Sequence, residues 1–248
     1  MTRPVGDHSH EDQGVAAPSP PLVSVCRSFF QDDVLDVAPS LLGAVLRRRG
    51  PEGTVALRIT EVEAYGGSQD PGSHAYRGST RRNRTMFGPP GHLYCYFIYG
   101  MHYAINLVVG ESGLGAACLL RAGEVVEGTA LARRRRESKP RVAPLLDRAL
   151  ARGPGCVAQC FDANRDNDGD DLVASSWELL VSPARAVEAY RSGPRVGVSG
   201  PGGLPDFPWR FWLENEPSVS AYRPGRATAP ITGTRSVMKV ALDVEAHL

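Results

Sequence analysis

Residues 54–65 read Thr-Val-Ala-Leu-Arg-Ile-Thr-Glu-Val-Glu-Ala-Tyr, and this stretch predicts a strand that carries charge on a buried face. Side chains alternate along a strand, so Glu61, Glu63 and Tyr65 are expected to share one face. The same face is expected to carry the apolar residues upstream, Val55, Leu57 and Ile59. A buried carboxylate is costly unless it is hydrogen-bonded or protonated, so the pattern indicates that at least one of these carboxylates has a functional role. The alternative is a strand that emerges into solvent at Glu61.

The order of elements around this strand predicts a single α+β domain. An apolar stripe predicts a helix over residues 33–46, broken or kinked at Pro39. Further helices are expected at residues 124–136, 145–151 and 156–163, and further strands at residues 93–99, 102–109, 117–122, 177–181, 195–198 and 209–213. This order favours a compact domain with a curved, mostly antiparallel sheet flanked by helices and a protruding hairpin. Residues 1–21 are expected to form a disordered tail and residues 22–245 the domain.

Composition excludes a strongly basic or membrane-embedded protein. The net charge is +1, although the chain has 26 arginines and only two lysines. A GC-rich genome accounts for most of that bias, so the local cluster of Arg77, Arg81, Arg82 and Arg84 is the more informative feature. No run is long enough for a transmembrane helix and no signal pattern is present, so we expect a cytoplasmic protein, nucleoid-associated if bacterial.

The five cysteines are expected to be free, buried and without a metal. An odd number without a signal peptide argues against a disulfide framework, and no second pair stands near Cys156 and Cys160 to complete a zinc site. The turn at residues 164–169 resembles the start of a calcium loop, but its twelfth position is Ser175 rather than a glutamate. The sequence therefore predicts no metal.

An aromatic hairpin and an arginine-rich loop predict contact with a nucleic acid. Residues 93–103 contain four tyrosines, and Tyr99 stands beside the turn residue Gly100. A ring at an exposed tip needs a partner, and a stacked base contributes about 1–3 kcal/mol. The preceding loop, residues 80–84, is rich in side chains that can donate hydrogen bonds to phosphates. A second arginine run, residues 133–136, is explained by a helix C-terminus, with phosphate contact as the alternative.

The ordered motifs resemble the alkyladenine (3-methyladenine) DNA glycosylase family over roughly residues 28–222. The resemblance rests on residues 60–65 through His74, 82–87, Gly91, 94–101, Asn106, 117–122, 127–128, 153–155 and 194–198. The tail and the loop at residues 199–208 match no motif. Cys156, Val157 and Cys160 stand where the family carries other small or aliphatic residues, which puts the substrate range in doubt.

The resemblance implies a role for each matching residue. Glu63 matches the general base and Arg121 the arginine that helps to hold the attacking water. The base pocket is implied at Tyr65, His74, Tyr96 and Asn106, and the bulk of Asn106 disfavours the amine of normal guanine. Intercalation is implied for Tyr99, with Met101 beside it, and backbone contact for Arg82 and Arg84. Glu61 is expected to have a supporting role, and His74 could equally be an ordinary loop histidine.

The function expected from this resemblance is that of a monofunctional DNA glycosylase of base excision repair. It would act as a monomer and without a cofactor on double-stranded DNA that contains damaged purines, namely 3-methyladenine, hypoxanthine and ethenoadenine. Flipping the nucleotide would expose its glycosidic bond to hydrolysis. Neither lysine stands near the motifs, so no lyase step through a Schiff base is expected.

Two other functions remain compatible with the residues. A non-catalytic binder of damaged DNA could use the same hairpin. A sugar-processing hydrolase could use Glu61 and Glu63 as its acid pair, since side chains two apart on a strand face are roughly 7 Å apart.

Overall fold

The fold is built on one mostly antiparallel sheet with three α-helices, as the sequence predicted for an α+β domain. The computed structural model describes residues 21–98, 100–138, 142–183 and 189–226. The tail predicted at residues 1–21 falls almost wholly outside these residues, as do Tyr99 and both lysines. No helix among the described residues is long and apolar enough to cross a bilayer.

Ten strands form the sheet within the described part of the chain. They are β1 Val23–Ser24, β2 Val45–Gly50, β3 Gly53–Gly66, β4 Leu93–Ile98, β5 His102–Val109, β6 Ala116–Glu127, β7 Ala151–Arg152, β8 Trp177–Val181, β9 Tyr190–Gly193 and β10 Arg210–Leu213. The main path runs β1-β8-β2-β3-β6-β5-β4. Strand β10 pairs with both β3 and β9, and β7 pairs with β6. The long strand β3 therefore has partners on both of its edges.

Three α-helices accompany the sheet: α1 Val34–Ser40, α2 Thr129–Arg136 and α3 Pro154–Phe161. Helix α1 is shorter than predicted because it ends just after Pro39, and Val45 and Leu46 belong to a strand. Residues 124–127, expected at the start of a helix, continue β6, and α2 begins after Gly128. The helix expected at residues 145–151 is reduced to a 3₁₀ turn, Asp147–Ala149. The prediction of a strand at residues 195–198 is wrong, because the strand in this region, β9, lies earlier in the chain and ends at Gly193.

One face of the sheet packs on the main hydrophobic core. Strands β2 to β6 and β8 and all three α-helices contribute to this core, which includes the fully buried Phe30, Leu46, Ile105 and Phe161. A smaller cluster forms on the opposite face of the sheet and consists of Ala75, Met86, Tyr94, Val108 and Ala117. In β4 and β5 the two sets alternate residue by residue, as the period of a strand requires.

A β-bulge in β3 overturns the prediction that Glu61 and Glu63 share the face of Val55, Leu57 and Ile59. The pairing of β3 with β6 shifts register on both sides of Glu61, between Ile59 and Val62. Val62 and Ala64 then belong to the same core as Val55, Leu57 and Ile59. The irregularity therefore keeps the apolar face on the core while the carboxylates turn to the opposite face. Bulges commonly re-aim side chains in this way beside active sites.

The cysteines are free, as expected, but only three of them are buried. Cys95, Cys118 and Cys160 lie in the core, Cys156 is part-buried, and Cys26 is exposed in the short segment after β1. Burial of the thiols raises the pKa of Cys160 to about 12. The prediction that all five are buried is therefore wrong for Cys26 and only partly right for Cys156.

Candidate active site

The site is a cavity of about 310 Å³ on the face of the sheet opposite the main core. Its lining comes from the end of β3, from strands β4 to β6, from the segments that follow β3 and β9, and from Pro154 at the start of α3. The residues that line it are Tyr65, Pro71, Gly72, His74, Met86, Tyr94, Tyr96, Ile98, Ala104, Asn106, Leu119, Arg121, Pro154 and Val196 to Ser199. The volume and the mixture of aromatic and polar groups are typical of a site for one small ring system.

Glu63 lies directly behind this lining and has no exposed surface. Its Oε2 accepts a hydrogen bond of 2.8 Å from the Tyr65 hydroxyl, and its Oε1 accepts one of 2.6 Å from the Val196 amide. Nη1 of Arg121 lies 3.3 Å from the same Oε1. All three partners line the cavity. The structure therefore brings the predicted base, Glu63, together with Arg121 and Tyr65.

Glu61 is held differently, with four hydrogen bonds that occupy both carboxylate oxygens. Its Oε1 accepts from Arg121 Nε at 3.0 Å, from Arg210 Nε at 2.6 Å and from the Ser220 hydroxyl at 2.9 Å. Its Oε2 accepts from the Ser220 amide at 2.7 Å. Glu61 is not part of the cavity lining. These contacts, and its place outside the lining, fit a supporting residue.

Charge balance in this cluster sets the ionisation of its members. Burial disfavours the charge on Arg121, but Glu63 and Glu61 outweigh that effect and raise the pKa of its guanidinium. Burial, followed by the negative charge of Glu63, raises the pKa of the Tyr65 hydroxyl well above its ordinary value. The Tyr65 hydroxyl therefore stays protonated and donates its hydrogen bond to Glu63 across the physiological pH range.

Three aromatic residues form another part of the cavity. The rings of Tyr94 and Tyr96 stack with centroids 5.1 Å apart, and the His74 ring meets Tyr96 edge-on at 4.7 Å. Nδ1 of His74 lies 3.3 Å from the Tyr94 hydroxyl. Partial loss of hydration among these rings, together with the charge of Arg82, lowers the pKa of His74, so its neutral form dominates at pH 7. His74, Tyr96 and Tyr65 thus line one cavity, as predicted.

Asn106 lines the same cavity from β5 and is almost fully buried. Its Nδ2 donates a 3.0 Å hydrogen bond to the carbonyl oxygen of Tyr94 on β4, which fixes the orientation of the amide. With Nδ2 committed in this way, the amide cannot turn freely toward a ligand. Asn106 therefore presents a fixed shape to anything that enters.

Three of the remaining predicted residues, Met101, Arg82 and Arg84, are exposed at the surface. Met101, in the turn between β4 and β5, is 68% exposed, and Gly100 in the same turn has a positive φ of 68° that favours glycine. Arg82 and Arg84 are exposed, and Arg82 Cζ lies 5.8 Å from the centroid of the Tyr96 ring. The predicted wedge, Tyr99, lies outside the described residues.

Sequence reasoning missed several residues of the site. Tyr94 and Leu119 could have been found from alternation, because they lie two positions from Tyr96 and Arg121 on the same strands. Val196 contributes a backbone amide, for which no side-chain pattern exists. Asp70 and Arg195, which form a buried ion pair beside Tyr65, are separated by 125 positions.

Comparison with known proteins agrees with this geometry. Residues 28–217 match the family model described as methylpurine-DNA glycosylase. The chain belongs to the methylpurine-DNA glycosylase family. Among relatives named as candidate 3-methyladenine DNA glycosylases, one from Streptomyces avermitilis is 51% identical over 208 residues, which cover 83% of this chain and 94% of the relative.

Two further relatives with the same name extend the comparison. One from Leifsonia xyli is 53% identical over 199 residues, covering 79% of this chain and 92% of the relative. One from Methanocella arvoryzae is 43% identical over 199 residues, covering 80% of this chain and 96% of the relative. Membership of the methylpurine-DNA glycosylase family supports hydrolase activity on DNA, as the sequence motifs implied.

Proposed function

We propose that the protein is a monofunctional DNA glycosylase that hydrolyses the N-glycosidic bond of damaged purines. The observation that carries the proposal is the buried carboxylate of Glu63, whose three partners all line one aromatic cavity. The substrates proposed are 3-methyladenine, hypoxanthine and ethenoadenine in double-stranded DNA. It would act as a monomer and without a cofactor, in the cytoplasm and, in a bacterial cell, with the nucleoid.

Entry to the cavity requires the damaged nucleotide to leave the duplex. Met101 stands exposed at the hairpin turn, and Arg82 and Arg84 are exposed in the loop before β4. We propose that the hairpin turn enters the helix while the loop holds phosphates. Damaged bases cost less to extrude, which supplies part of the selectivity. In the pocket the base would stack against Tyr65 on one side and His74 and Tyr96 on the other.

The hydrolytic step uses the one acceptor site that Glu63 has left. A carboxylate has about four lone-pair positions, and the Tyr65 hydroxyl, the Val196 amide and Arg121 occupy three. A water molecule would donate to the fourth, with Arg121 beside it. Its oxygen attacks C1′, the bond from C1′ to the purine nitrogen breaks, and the electron pair leaves with the base. Glu63 takes the proton, and its anionic charge stabilises the oxocarbenium-like transition state.

Two features limit the reaction to this outcome. The lining formed by the described residues includes no lysine, and the two lysines of the chain, Lys139 and Lys239, stand away from the site motifs in the sequence. We therefore propose no Schiff base and no cleavage of the DNA backbone. The fixed side chain of Asn106 would disfavour the exocyclic amine of normal guanine, which limits the attack on undamaged DNA.

The decisive test is the substitution Glu63→Gln, which keeps the shape of the side chain and removes the base. In a single-turnover assay of hypoxanthine release from duplex DNA, we expect the rate to fall by about 100-fold or more. Glu178→Gln is the control, because Glu178 is likewise an acid paired with arginines but is part-buried on β8, outside the cavity lining.

The contrary outcomes separate the competing functions. A Glu63→Gln variant with the wild-type rate would show that Glu63 is not the base. Tight binding of lesion-containing DNA without release of any base by the wild-type protein would favour the non-catalytic binder.

A further inference from the structure

We propose that the buried pair Asp70–Arg195 is a positioning element of the active site, which fixes one wall of the pocket and keeps that wall neutral behind the stacked base. This inference rests on the proposed function, since it concerns the pocket that would hold the damaged purine. Both side chains are fully buried, and neither lines the cavity. Any effect on the substrate must therefore pass through the residues that they contact.

The pair connects the three chain segments that form the wall. The Arg195 guanidinium donates to Asp70 through two bonds of 2.5 and 2.6 Å, to the carbonyl oxygen of Ala64 at 2.9 Å and to that of Gly202 at 2.7 Å. The Asp70 carboxylate also accepts from the amides of Gly66 and Gly72. The end of β3, the segment after it and the segment after β9 are thus fixed to one another.

Each connected segment supplies residues that face the substrate. Tyr65 follows Ala64, Pro71 and Gly72 follow Asp70, and Val196 follows Arg195, and all four line the cavity. The Val196 amide is also the donor to Glu63 Oε1. Displacement of Arg195 would therefore move the ring on which the base stacks and a hydrogen bond that holds the proposed base.

The packing around Arg195 leaves no room for looser arrangements. A Cβ atom on Gly72 would lie 2.5 Å from Nη2 of Arg195, and one on Gly202 would lie 2.4 Å from the Gly72 amide nitrogen. Both glycines are therefore needed for the close approach of the two segments to the guanidinium. The planar, five-donor group of arginine suits such a position better than lysine.

The charge of the pair matters because Arg195 lies over the ring of Tyr65. Its Cζ is 4.6 Å from the ring centroid, so the ring separates the guanidinium from the cavity. Asp70 balances that positive charge. A purine alkylated on a ring nitrogen, such as 3-methyladenine, is cationic in the nucleotide, whereas hypoxanthine is neutral. An unbalanced Arg195 would oppose the first lesion more than the second.

The substitution Asp70→Asn tests this, with base release measured in single turnover on methylated DNA and on duplexes that contain hypoxanthine. We expect release of 3-methyladenine to fall about tenfold more than release of hypoxanthine, because like charges across a part-buried site interact appreciably. The double variant Asp70→Asn/Arg195→Gln removes both charges and should return the ratio of the two rates to about the wild-type value.

Arg48→Gln is the matched control. Arg48 also stacks on an aromatic ring, Trp177 at 5.0 Å, and donates to the carbonyl oxygens of Phe161 and Asp162, but none of these contacted residues lines the cavity. We expect this variant to leave the ratio of the two rates unchanged. Equal losses on both lesions in Asp70→Asn, or no loss, would overturn the proposal and leave the pair a purely structural role.

Two further outcomes are covered by the design. If Asp70→Asn is insoluble, Asp70→Glu replaces it. This longer acid keeps the charge but displaces the wall, so we expect lower rates on both lesions at an unchanged ratio, and wild-type rates would overturn the proposal. If the wild-type protein releases neither base, the proposed function itself fails, and the inference fails with it.

Discussion

Arg121 contacts both glutamates of β3. Its Nε contacts Glu61 and its Nη1 contacts Glu63, so one guanidinium serves both carboxylates. Arg210 supplies the second positive charge, through Glu61. Glu61 also contacts Arg210 and Ser220, which do not line the cavity, whereas all three partners of Glu63 line it. The two acids stand only two positions apart on β3, and they differ in the residues that they contact.

Tyr94 gives a prediction on pH dependence at the scale of one residue. Burial raises the pKa of its hydroxyl to about 12, whereas the unfolded chain ionises near the ordinary value of about 10. The stability that this difference contributes is fully present below pH 10 and is lost as the pH rises through 12. Compared with Tyr94→Phe, the wild-type free energy of unfolding should therefore fall over this range in urea titrations. Parallel pH profiles for the two proteins would contradict the assignment.

Sequence reasoning reached individual residues of the site more easily than their neighbours. Glu63, Tyr65, His74, Tyr96 and Asn106 stand in motifs; the last four line one cavity, and Glu63 lies behind that lining, bonded to Tyr65. The partners that decide their chemistry do not stand nearby in sequence. Arg210 and Ser220 reach Glu61 from 149 and 159 positions away, and no local pattern encodes such contacts.

The two arginine-rich elements have different tasks. In α2, Arg135 donates to the carbonyl oxygen of Cys160 at 2.9 Å, and Arg136 donates to that of Leu150 at 2.6 Å and to the side chain of Gln159. Arg133 is paired with Glu137 and Asp147. These three arginines join α2 to its neighbours, which favours the structural explanation of the run. Arg82 and Arg84, by contrast, are exposed, and Arg82 lies against Tyr96 of the cavity lining.

This difference predicts opposite effects of substitution in the two elements. Arg136→Ala should lower the free energy of unfolding by about 2 kcal/mol and leave the affinity for DNA unchanged, because it leaves a carbonyl group without its charged donor. Arg82→Ala should weaken DNA binding and reduce the slope of log K against log salt by about one, with little effect on stability. Urea unfolding and DNA titrations at several salt concentrations measure both. A change of salt slope in Arg136→Ala would contradict this division.

Strand and helix boundaries show where sequence patterns fail at the scale of elements. The hairpin of β4 and β5 was predicted well, because alternation and a turn glycine coincide there. The apolar run at residues 41–46 was assigned to a helix, although it leads into β2, because a short apolar run fits either period. The bulge of β3 left no signal, since Thr60 is an ordinary strand residue.

At the scale of the molecule, the sheet separates the main hydrophobic core from the cavity of the candidate active site. The main core lies on one face, and the cavity lies on the other. Leu46→Ala, near the start of β2, should therefore lower the free energy of unfolding by about 2–5 kcal/mol, through the cavity it leaves in the core. The ratio of rates on two lesions should remain that of the wild-type protein. A changed ratio would show that the core and the pocket are coupled through the sheet.

The amide of Val196 donates a hydrogen bond to Glu63, so the exchange rate of this one amide proton reports whether the site is assembled. The bond joins positions 133 residues apart and lies outside any strand ladder, so chain closure must bring the segments together before it can form. In the native state this loop amide should exchange with deuterated solvent as slowly as its neighbours in the sheet. In Glu63→Ala it should exchange at the rate of an open loop while β4 and β5 stay protected. The opening of this one bond would then measure how often the folded protein exists without a functional site.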